Sequence, residues 1–406
     1  MIINTNTIAL DNLILNSENI LFIQDLDGVC IQLVKDPMTR KLDKNYIYAV
    51  KKFNQEFFVL TCGEHEGIRG VNRIIERSIG SKSLPREEGL YLRGLAACGV
   101  EYQNNKGDIS FEGISKEEIN FLSQVPDIMR PKFRKIVKEL FPDMDDKLIN
   151  MHMHQSICDT RFSPTINFNS LFEIVKNDFF KRIEIQKSFK EMMNEIIQIA
   201  ESLGLKDSFF LHISPNLGTK NDIEIMKESS NNDIGSTDIQ LLLKGALKDA
   251  GVLCLLNKFI GNKTGKKPFG ENFNFRNAPI NHEDKIAFCK KYISPKDMPI
   301  IIGVGDTVTS QKNHNNNCFL RGGSDRSFLE LIKLIGYEFK IKNNIIFVDS
   351  SYGEVFRPST KKTGLKGISD KEDILNFDIV FQNGPEEYIN WFTKMAHKRY
   401  LIKNKK

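Results

Sequence analysis

Short, uninterrupted runs of apolar residues occur near both ends of the chain. Four of them, at 20–24 (ILFIQ), 57–61 (FFVLT), 299–305 (PIIIGVG) and 344–349 (NIIFVD), have the length and the Ile, Val and Phe content of buried strands. A weaker fifth run lies at 377–384. Runs of this kind are typical of parallel strands that helices cover on both faces. The two ends therefore predict a doubly wound parallel α/β sheet.

The middle of the chain has a different pattern, in which apolar residues recur at the spacing of amphipathic helices. One helix is predicted over 170–204, where Gly204 closes it, and another over 235–261, which starts with Ser, Thr and Asp and stops at a glycine. Such stripes indicate core packing rather than a ligand site.

The simplest architecture joins the two ends into one domain and leaves the middle as an insertion. Residues 1–62 and 281–406 form the core, and residues 63–280 form a large inserted domain.

Composition and charge exclude several classes of protein. The formal net charge of +5 is mild for 406 residues and its basic residues are spread out, whereas nucleic-acid surfaces cluster them. No apolar run approaches the roughly 18 residues of a membrane span. The N-terminus lacks the basic region and cleavage site of a signal peptide. A small anionic substrate, with no nucleic acid and no membrane as partner, fits this composition.

The cysteines favour a reducing compartment. There are seven, and they include no CxxC pair, so neither a disulfide framework nor a zinc ribbon is expected. We therefore expect the protein to be cytoplasmic.

Polar residues follow three of the predicted strands. Asp25 and Asp27 follow the first, Thr61 ends the second and Asp306 follows the third. Because ligands of open α/β sheets bind beyond the carboxyl ends of the strands, these side chains can meet. Clustered carboxylates suit a hard cation such as Mg²⁺. A calcium loop beginning at Asp25 fits poorly, because its fifth and sixth positions would be valine and cysteine.

The stretches DLDGV, FFVLT, a later lysine and GVGDTVTS resemble, in this order, the four motifs of the haloacid-dehalogenase-like (HAD) phosphatases. The resemblance implies that Asp25 is the nucleophile that forms an aspartyl-phosphate, and that Asp27 is the general acid and base. It also implies that Thr61 binds the phosphoryl group. Mg²⁺ would be bound by the side chains of Asp25 and Asp306 and by the backbone carbonyl of Asp27.

Two positions of this pattern are harder to assign. Among the candidate lysines at 285, 290 and 291, Lys285 best matches the third motif, because it lies 21 residues before Asp306 and a helical pattern follows it. The second acid that the family often carries shortly after the "GD" pair is absent. Asp325 either replaces that acid or caps the helix that follows.

The insertion occupies the position of a C2-type α+β cap, which in this family covers the site and selects the substrate. Glu64, His65 and Arg69 follow Thr61 closely and are candidate substrate-binding residues at the mouth of the site. Surface roles for these three remain an alternative.

Longer stretches, such as IQDLDGVCIQLVKDPMTRKLD and GENFNFRNAP, are similar to a family of cyanobacterial sugar phosphatases. That resemblance implies hydrolysis of 2-O-glucosylglycerol 3-phosphate during synthesis of a compatible solute under salt stress. The alternatives are a HAD phosphatase for another sugar phosphate, such as sucrose or trehalose phosphate, a phosphotransferase or mutase, and a non-catalytic sugar-binding protein of the same fold.

Overall fold

The computed structural model describes residues 3–313 and 318–404. The strands are β1 Ile20–Gln24, β2 Phe57–Leu60, β3 Gly94–Ala96, β4 Glu101–Gln103, β5 Ile109–Phe111, β6 Ile157–Cys158, β7 Thr165–Asn167, β8 Phe209–Ser214, β9 Asn216–Lys220, β10 Ile223–Met226, β11 Asp238–Leu243, β12 Ile300–Gly305, β13 Thr309–Lys312, β14 Phe319–Gly322, β15 Asn344–Val348 and β16 Ile379–Phe381. The helices are α1 Ile8–Asn16, α2 Lys44–Phe53, α3 Val71–Ile79, α4 Leu84–Glu88, α5 Lys116–Leu140, α6 Asp146–Ser156, α7 Asn169–Ile174, α8 Phe179–Ser202, α9 Lys248–Thr264, α10 His282–Tyr292, α11 Arg326–Phe339, α12 Thr360–Thr363 and α13 Pro385–Lys403.

The main sheet has the strand order β16-β15-β12-β1-β2-β3-β4-β5 within the described residues. Its strands are parallel from β16 to β3, and β4 and β5 continue it as antiparallel strands. From β1 the sheet grows to β2 on one side and to β12 and β15 on the other, so a crevice opens at the carboxyl ends of the central strands. The predicted α/β fold and all five predicted strands are confirmed.

Helices cover both faces of this sheet. Ile20 and Phe22 of β1 pack into a core with α1, α2 and α13, whereas Leu21 and Ile23 pack into a second core with α9, α10 and α11. Successive strand residues point to opposite faces, so a strand buried on both sides must be apolar throughout. This explains the uninterrupted apolar runs. No helix of the described residues is both long enough and apolar enough to cross a membrane.

A second, four-stranded antiparallel sheet lies in the middle of the chain, with the order β6-β7-β11-β8. One face of this sheet packs against α5, α7 and α8 through alternate residues such as Ile166, Ile213 and Ile239. Most of the intervening residues of β7, β8 and β11 are polar: Thr165, Asn167, His212, Ser214, Asp238 and Gln240. We call residues 112–247, which contain this sheet and its helices, the cap.

The main sheet does not end at residue 62. β3 pairs with β2, β4 and β5 extend the sheet, and α9 packs on it through residues such as Leu253 and Leu256. We therefore propose inner domain boundaries near 111/112 and 247/248, instead of the expected 62/63 and 280/281.

The two long helices predicted in the middle are only partly correct. Residues 170–204 form two helices, α7 and α8, separated by a short break. The first part of 235–261 forms strand β11, and the helix there, α9, continues past Gly261 and ends at Thr264, with Gly265 as its C-cap. The helix prediction failed at β11 because an apolar run after a Ser-Thr-Asp start is also compatible with a strand.

Candidate active site

Three carboxylates converge in the crevice of the main sheet. Asp25 follows β1 and Asp306 follows β12, while Asp325 directly precedes α11. All three are buried, and one oxygen from each lies within 4.8 Å of the others. Asp306 Oδ2 has no hydrogen-bond partner although it is buried. An unpartnered carboxylate oxygen in a cluster of acids fits a hard, oxygen-seeking cation.

Strands β13 and β14, which lie between Asp306 and Asp325 in the sequence, pair in antiparallel fashion. This pairing brings Asp325 close to Asp306. Asp325 Oδ2 accepts hydrogen bonds of 2.9 Å from the backbone N–H groups of Asp306 and Thr307. Although Asp325 stands at the N-cap of α11, its side chain caps no N–H of that helix. The structure therefore favours the alternative in which Asp325 takes the place of the family's second acid over the one in which it only caps the following helix.

The lysine beside these acids is Lys248, the first residue of α9. Its Nζ lies 2.8 Å from Asp25 Oδ2 and 2.6 Å from Asp325 Oδ1, and its side chain is buried. The sequence prediction chose Lys285, and the structure places that residue elsewhere. Lys285 Nζ contacts Asp249 Oδ2 at 3.0 Å and the Ile280 carbonyl at 2.5 Å.

Burial and mutual repulsion perturb the proton affinities of this cluster. Burial, and then the charges of Asp325 and Asp306, raise the pKa of Asp25, and Lys248 opposes this increase. Burial and the charge of Asp325 raise the pKa of Asp306 to about 7. Burial disfavours the charged form of Lys248, but Asp25 and Asp325 reverse this effect and raise its pKa. Three carboxylates share one lysine, and the raised pKa values of Asp25 and Asp306 show that ionising all three is unfavourable without further positive charge; a bound divalent cation would supply it.

Gly28 makes room for this arrangement. Its φ of +83° lies in the left-handed region, and a Cβ at this position would lie 2.1 Å from Asp306 Oδ2. Only glycine tolerates both conditions, so Gly28 lets the chain after β1 turn while Asp306 stays against it.

Asp27 and Thr61 lie on the open side of Asp25. All three side chains line one cavity of about 210 Å³ between the core and the cap. Asp27 is partly exposed, and Arg40 Nη1 lies 3.1 Å from its Oδ2. Thr61 is buried, and its hydroxyl accepts a 3.2 Å hydrogen bond from the N–H of Gly63.

Two of the three residues expected at the mouth of the site, Glu64 and Arg69, line the cavity, but their side chains are largely engaged by the protein. Glu64 accepts hydrogen bonds from the N–H groups of Arg161, Phe162 and Ser163, which lie between strands β6 and β7 of the cap. Arg69 pairs with Asp159 and donates to the His154 carbonyl, leaving only its Nε unpartnered. Both side chains connect the core to the cap.

His65 cannot contact a substrate in this structure, so that expectation is corrected. Its side chain is fully buried between strands, with Nε2 3.3 Å from the Gly94 carbonyl and Nδ1 3.4 Å from Gln103 Nε2. Burial lowers the pKa of His65 to about 4. The sequence could not reveal this burial, because it depends on contacts with β3 and β4, which lie further along the chain.

The roof of the cavity is the polar face of the cap sheet, which sequence reasoning missed. Asp238 of β11 pairs in register with Asn167 and Ser214, and Gln240 pairs with Thr165 and His212. All six of these residues line the cavity. The alternation of polar and apolar residues in TDIQLLL was the available signal, but the helix assignment concealed it.

Cys62, which lines the cavity, is joined to a second cysteine. Cys62 and Cys98 form a disulfide, which the cysteine count had argued against. The two residues are 36 positions apart, and the pairing becomes visible only when β3 is placed beside β2.

A doubly wound sheet that presents a buried aspartate, a lysine and two further acids beneath a polar cap is the architecture of an α/β phosphatase. The family model described as glucosylglycerol-phosphate phosphatase matches residues 19–396. The chain belongs to this family. It is 39% identical over 401 residues to the glucosylglycerol-phosphate phosphatase of Synechocystis sp., and the match covers 94% of each chain.

Solved structures with a similar arrangement include two trehalose-6-phosphate phosphatases. The C-terminal domain of the C. albicans protein is 12% identical with a TM-score of 0.48, covering 98% of this chain and 99% of that one. The Aspergillus fumigatus protein is 8% identical with a TM-score of 0.40, covering 98% of this chain and 100% of that one.

Proposed function

We propose that this protein is a Mg²⁺-dependent phosphatase that converts 2-O-glucosylglycerol 3-phosphate to glucosylglycerol and phosphate. The observation that carries this proposal is one cavity with Asp25, Asp27 and Lys248 on its core side and a row of neutral and acidic polar side chains on its cap side. The relative from Synechocystis sp. supports the choice of substrate. In the cell, the reaction would supply a compatible solute in the cytoplasm of a salt-stressed cyanobacterium.

In the first step, an oxygen of Asp25 attacks phosphorus, and the bond between phosphorus and the glycerol oxygen breaks. Asp27 donates a proton to that leaving oxygen, because its partly exposed carboxyl lies in the same cavity. In the second step, Asp27 removes a proton from water, which attacks phosphorus and releases Asp25. Dividing the displacement in this way replaces one difficult step by two easier ones.

The groups around Asp25 hold and balance charge. Lys248 bridges Asp25 and Asp325, so it fixes the nucleophile in place and faces the transferred phosphoryl group. The Thr61 hydroxyl donates to a phosphoryl oxygen. Mg²⁺, bound by Asp25, Asp306 and the Asp27 carbonyl with Asp325 beside them, would offset the negative charge of the phosphoryl group.

The cap side of the cavity suits a glycosyl group. Gln240 Oε1 and Asn169 Oδ1 are buried acceptors without a hydrogen-bond partner. Asp238 already accepts from Asn167 Nδ2 at 2.5 Å and from the Thr237 hydroxyl at 2.8 Å, which fixes the orientation of its carboxylate. Sugar hydroxyls donate and accept at short spacing, so fixed polar groups of this kind can bind them specifically.

The test is a panel of phosphate esters assayed with Mg²⁺: glucosylglycerol phosphate, trehalose 6-phosphate, sucrose 6-phosphate, glycerol 3-phosphate and p-nitrophenyl phosphate. We expect the highest kcat/KM for glucosylglycerol phosphate and no activity after chelation of the metal. Equal rates on all the sugar phosphates would refute the substrate assignment.

Two variants separate chemistry from recognition. Asp25→Asn is expected to abolish phosphate release from every ester while the chain stays folded. Gln240→Ala is expected to raise KM for glucosylglycerol phosphate about tenfold and to leave p-nitrophenyl phosphate hydrolysis nearly unchanged, because only the first substrate carries the glycosyl group. An equal loss on both substrates would show that Gln240 acts outside sugar recognition.

A further inference from the structure

A second cluster of potential metal ligands lies beside the active site and plays no part in the phosphatase chemistry. Cys62 Sγ, Cys98 Sγ and a ring nitrogen of His212 all lie within 4.8 Å of one another, and Cys98 and His212 are buried. Two sulfurs and an imidazole are soft ligands, unlike the oxygens of the neighbouring acidic cluster. We propose that, when its disulfide is reduced, this cluster binds a thiophilic divalent cation such as Zn²⁺.

The histidine is oriented for this role. Its Nδ1 lies 2.9 Å from Glu224 Oε1, so the carboxylate favours the tautomer that carries its proton on Nδ1. The lone pair is then on Nε2, and Nε2 is buried without a hydrogen-bond partner. A carboxylate bound to the far nitrogen of a metal-binding histidine is a recurrent feature of metal sites.

The carboxylate of Glu224 is itself held in place. Its Oε2 accepts hydrogen bonds from the N–H of Ile213 at 2.7 Å and from Asn216 Nδ2 at 2.8 Å. The orientation of His212 is therefore set by the cap and does not depend on a bound ligand.

The cysteine side is equally constrained. Ala97 and Cys98 both adopt left-handed conformations, with φ of +47° and +55°, which are uncommon for residues other than glycine. The Cys98 N–H donates to the Thr61 carbonyl at 3.0 Å, and the Ala97 N–H donates to the Gly63 carbonyl at 2.7 Å. These bonds hold the strained turn so that Cys98 faces Cys62.

Binding requires reduction first. A dithiol exchanges with the protein disulfide, so two electrons and two protons pass to Cys62 and Cys98 and the dithiol becomes a disulfide. The two thiols then lose their protons as they bind the cation. In a tetrahedral zinc site with Zn–S bonds of about 2.3 Å, the sulfurs lie about 3.8 Å apart, which side-chain rotation can supply.

The site would have one open position. In the described part of the chain, no fourth Cys, His, Asp or Glu joins this group, so water can complete a tetrahedron. The cation would also connect two parts of the protein, because Cys62 follows β2 of the core and His212 lies on β8 of the cap.

The test uses the full-length protein and Co²⁺ as a spectroscopic probe for Zn²⁺. Reduced protein, freed of reductant under anaerobic conditions, is titrated with Co²⁺ and compared with protein whose disulfide is intact. We expect one Co²⁺ per reduced chain to give a thiolate-to-cobalt charge-transfer band and tetrahedral visible bands, which excess Zn²⁺ should abolish; Co²⁺ held by the oxygen ligands of the acidic cluster would give no charge-transfer band. The disulfide form should show neither band.

Variants assign the bands to these residues. Cys62→Ser and Cys98→Ser should each lose the charge-transfer band, and His212→Gln, which retains both thiols, should weaken binding at least tenfold. Cys318→Ser removes an exposed thiol and should bind as the wild type does. Asp306→Asn should also retain the band, which separates this site from the acidic cluster.

Three results would overturn the proposal. They are a reduced wild-type protein without the charge-transfer band, a band that survives when both Cys62 and Cys98 are replaced, and a reduced chain that circular dichroism shows to be unfolded.

Discussion

Replacing Lys248 with methionine tests the assignment of the site lysine most directly. The ammonium lies 2.8 Å from one carboxylate oxygen and 2.6 Å from another, so at an effective dielectric constant of 20 each contact is worth about 6 kcal/mol before desolvation. Desolvation cancels much of this, and breaking a buried pair costs about 3–5 kcal/mol of stability. Separately from this loss of folding stability, removing the positive charge that faces the transition state should lower kcat 10²–10³-fold, which corresponds to about 3–4 kcal/mol of transition-state stabilisation.

The matched control is Lys285→Met, which removes a lysine that is equally buried. It leaves His282 Nε2, 3.2 Å from Asp249 Oδ2, as a remaining side-chain partner of that carboxylate. We expect a similar loss of stability, about 3 kcal/mol, with kcat within about threefold of wild type.

Urea unfolding gives the stability of both variants, and kcat is then measured at a temperature where both remain folded. A Lys248→Met enzyme that retains more than a tenth of wild-type kcat would refute the assignment. So would a Lys285→Met enzyme that loses kcat to the same extent as Lys248→Met.

Three further predictions concern Gly28, the buried His65 and Asp325. Gly28→Ala should lower activity more than 100-fold because its Cβ displaces Asp306, whereas Gly80→Ala, with a similar φ of +78° and nothing within 4 Å, should cost only about 1 kcal/mol of stability; similar losses in the two would contradict this reasoning. Burial lowers the pKa of His65 from 6.5 to about 4, so the unfolded chain binds a proton in this interval that the folded chain does not. The contribution of His65 to the free energy of unfolding should therefore fall by about 3 kcal/mol as the pH drops from 6.5 to 4, whereas a raised carboxyl pKa such as that of Asp306 acts in the opposite direction. Urea titrations should show the His65 contribution as a difference between the pH profiles of wild type and His65→Gln; parallel profiles would exclude this origin. Asp325→Asn should raise the Mg²⁺ concentration for half-maximal activity at least tenfold, measured by titrating metal into chelator-treated enzyme, and an unchanged requirement would place Asp325 outside the metal site.

The sequence predicted the structure best where a residue pattern is compatible with only one kind of secondary structure and burial. The apolar runs that end in Asp25, Thr61 and Asp306 are compatible with little except buried parallel strands, and the structure contains all of them. The roles of these residues follow from the family resemblance and stay predictions that the variants above test.

Other parts of the site were hidden because they depend on contacts between distant segments. Lys248 begins a helix that follows a strand, and the sequence pattern merged the two into one helix. Asp325 lies 19 residues beyond Asp306, and only the pairing of the intervening hairpin brings the two together. His65 lies in a stretch with the composition of a surface loop but is buried against β3 and β4, where Glu101 accepts its backbone N–H at 3.0 Å and its ring lies beside the Gly94 carbonyl.

Alternate residues along the strands of the cap sheet have two different roles. Along β11, Ile239 and Leu241 pack into the cap interior, while Asp238 and Gln240 face the cavity. Substitutions at one set of positions therefore act mainly on folding, and those at the other set act mainly on which glycosyl group is accepted. A library that varies only the cavity-facing alternates could thus change the accepted sugar while leaving the cap's interior packing intact, so new specificities could arise from this scaffold at little cost in stability.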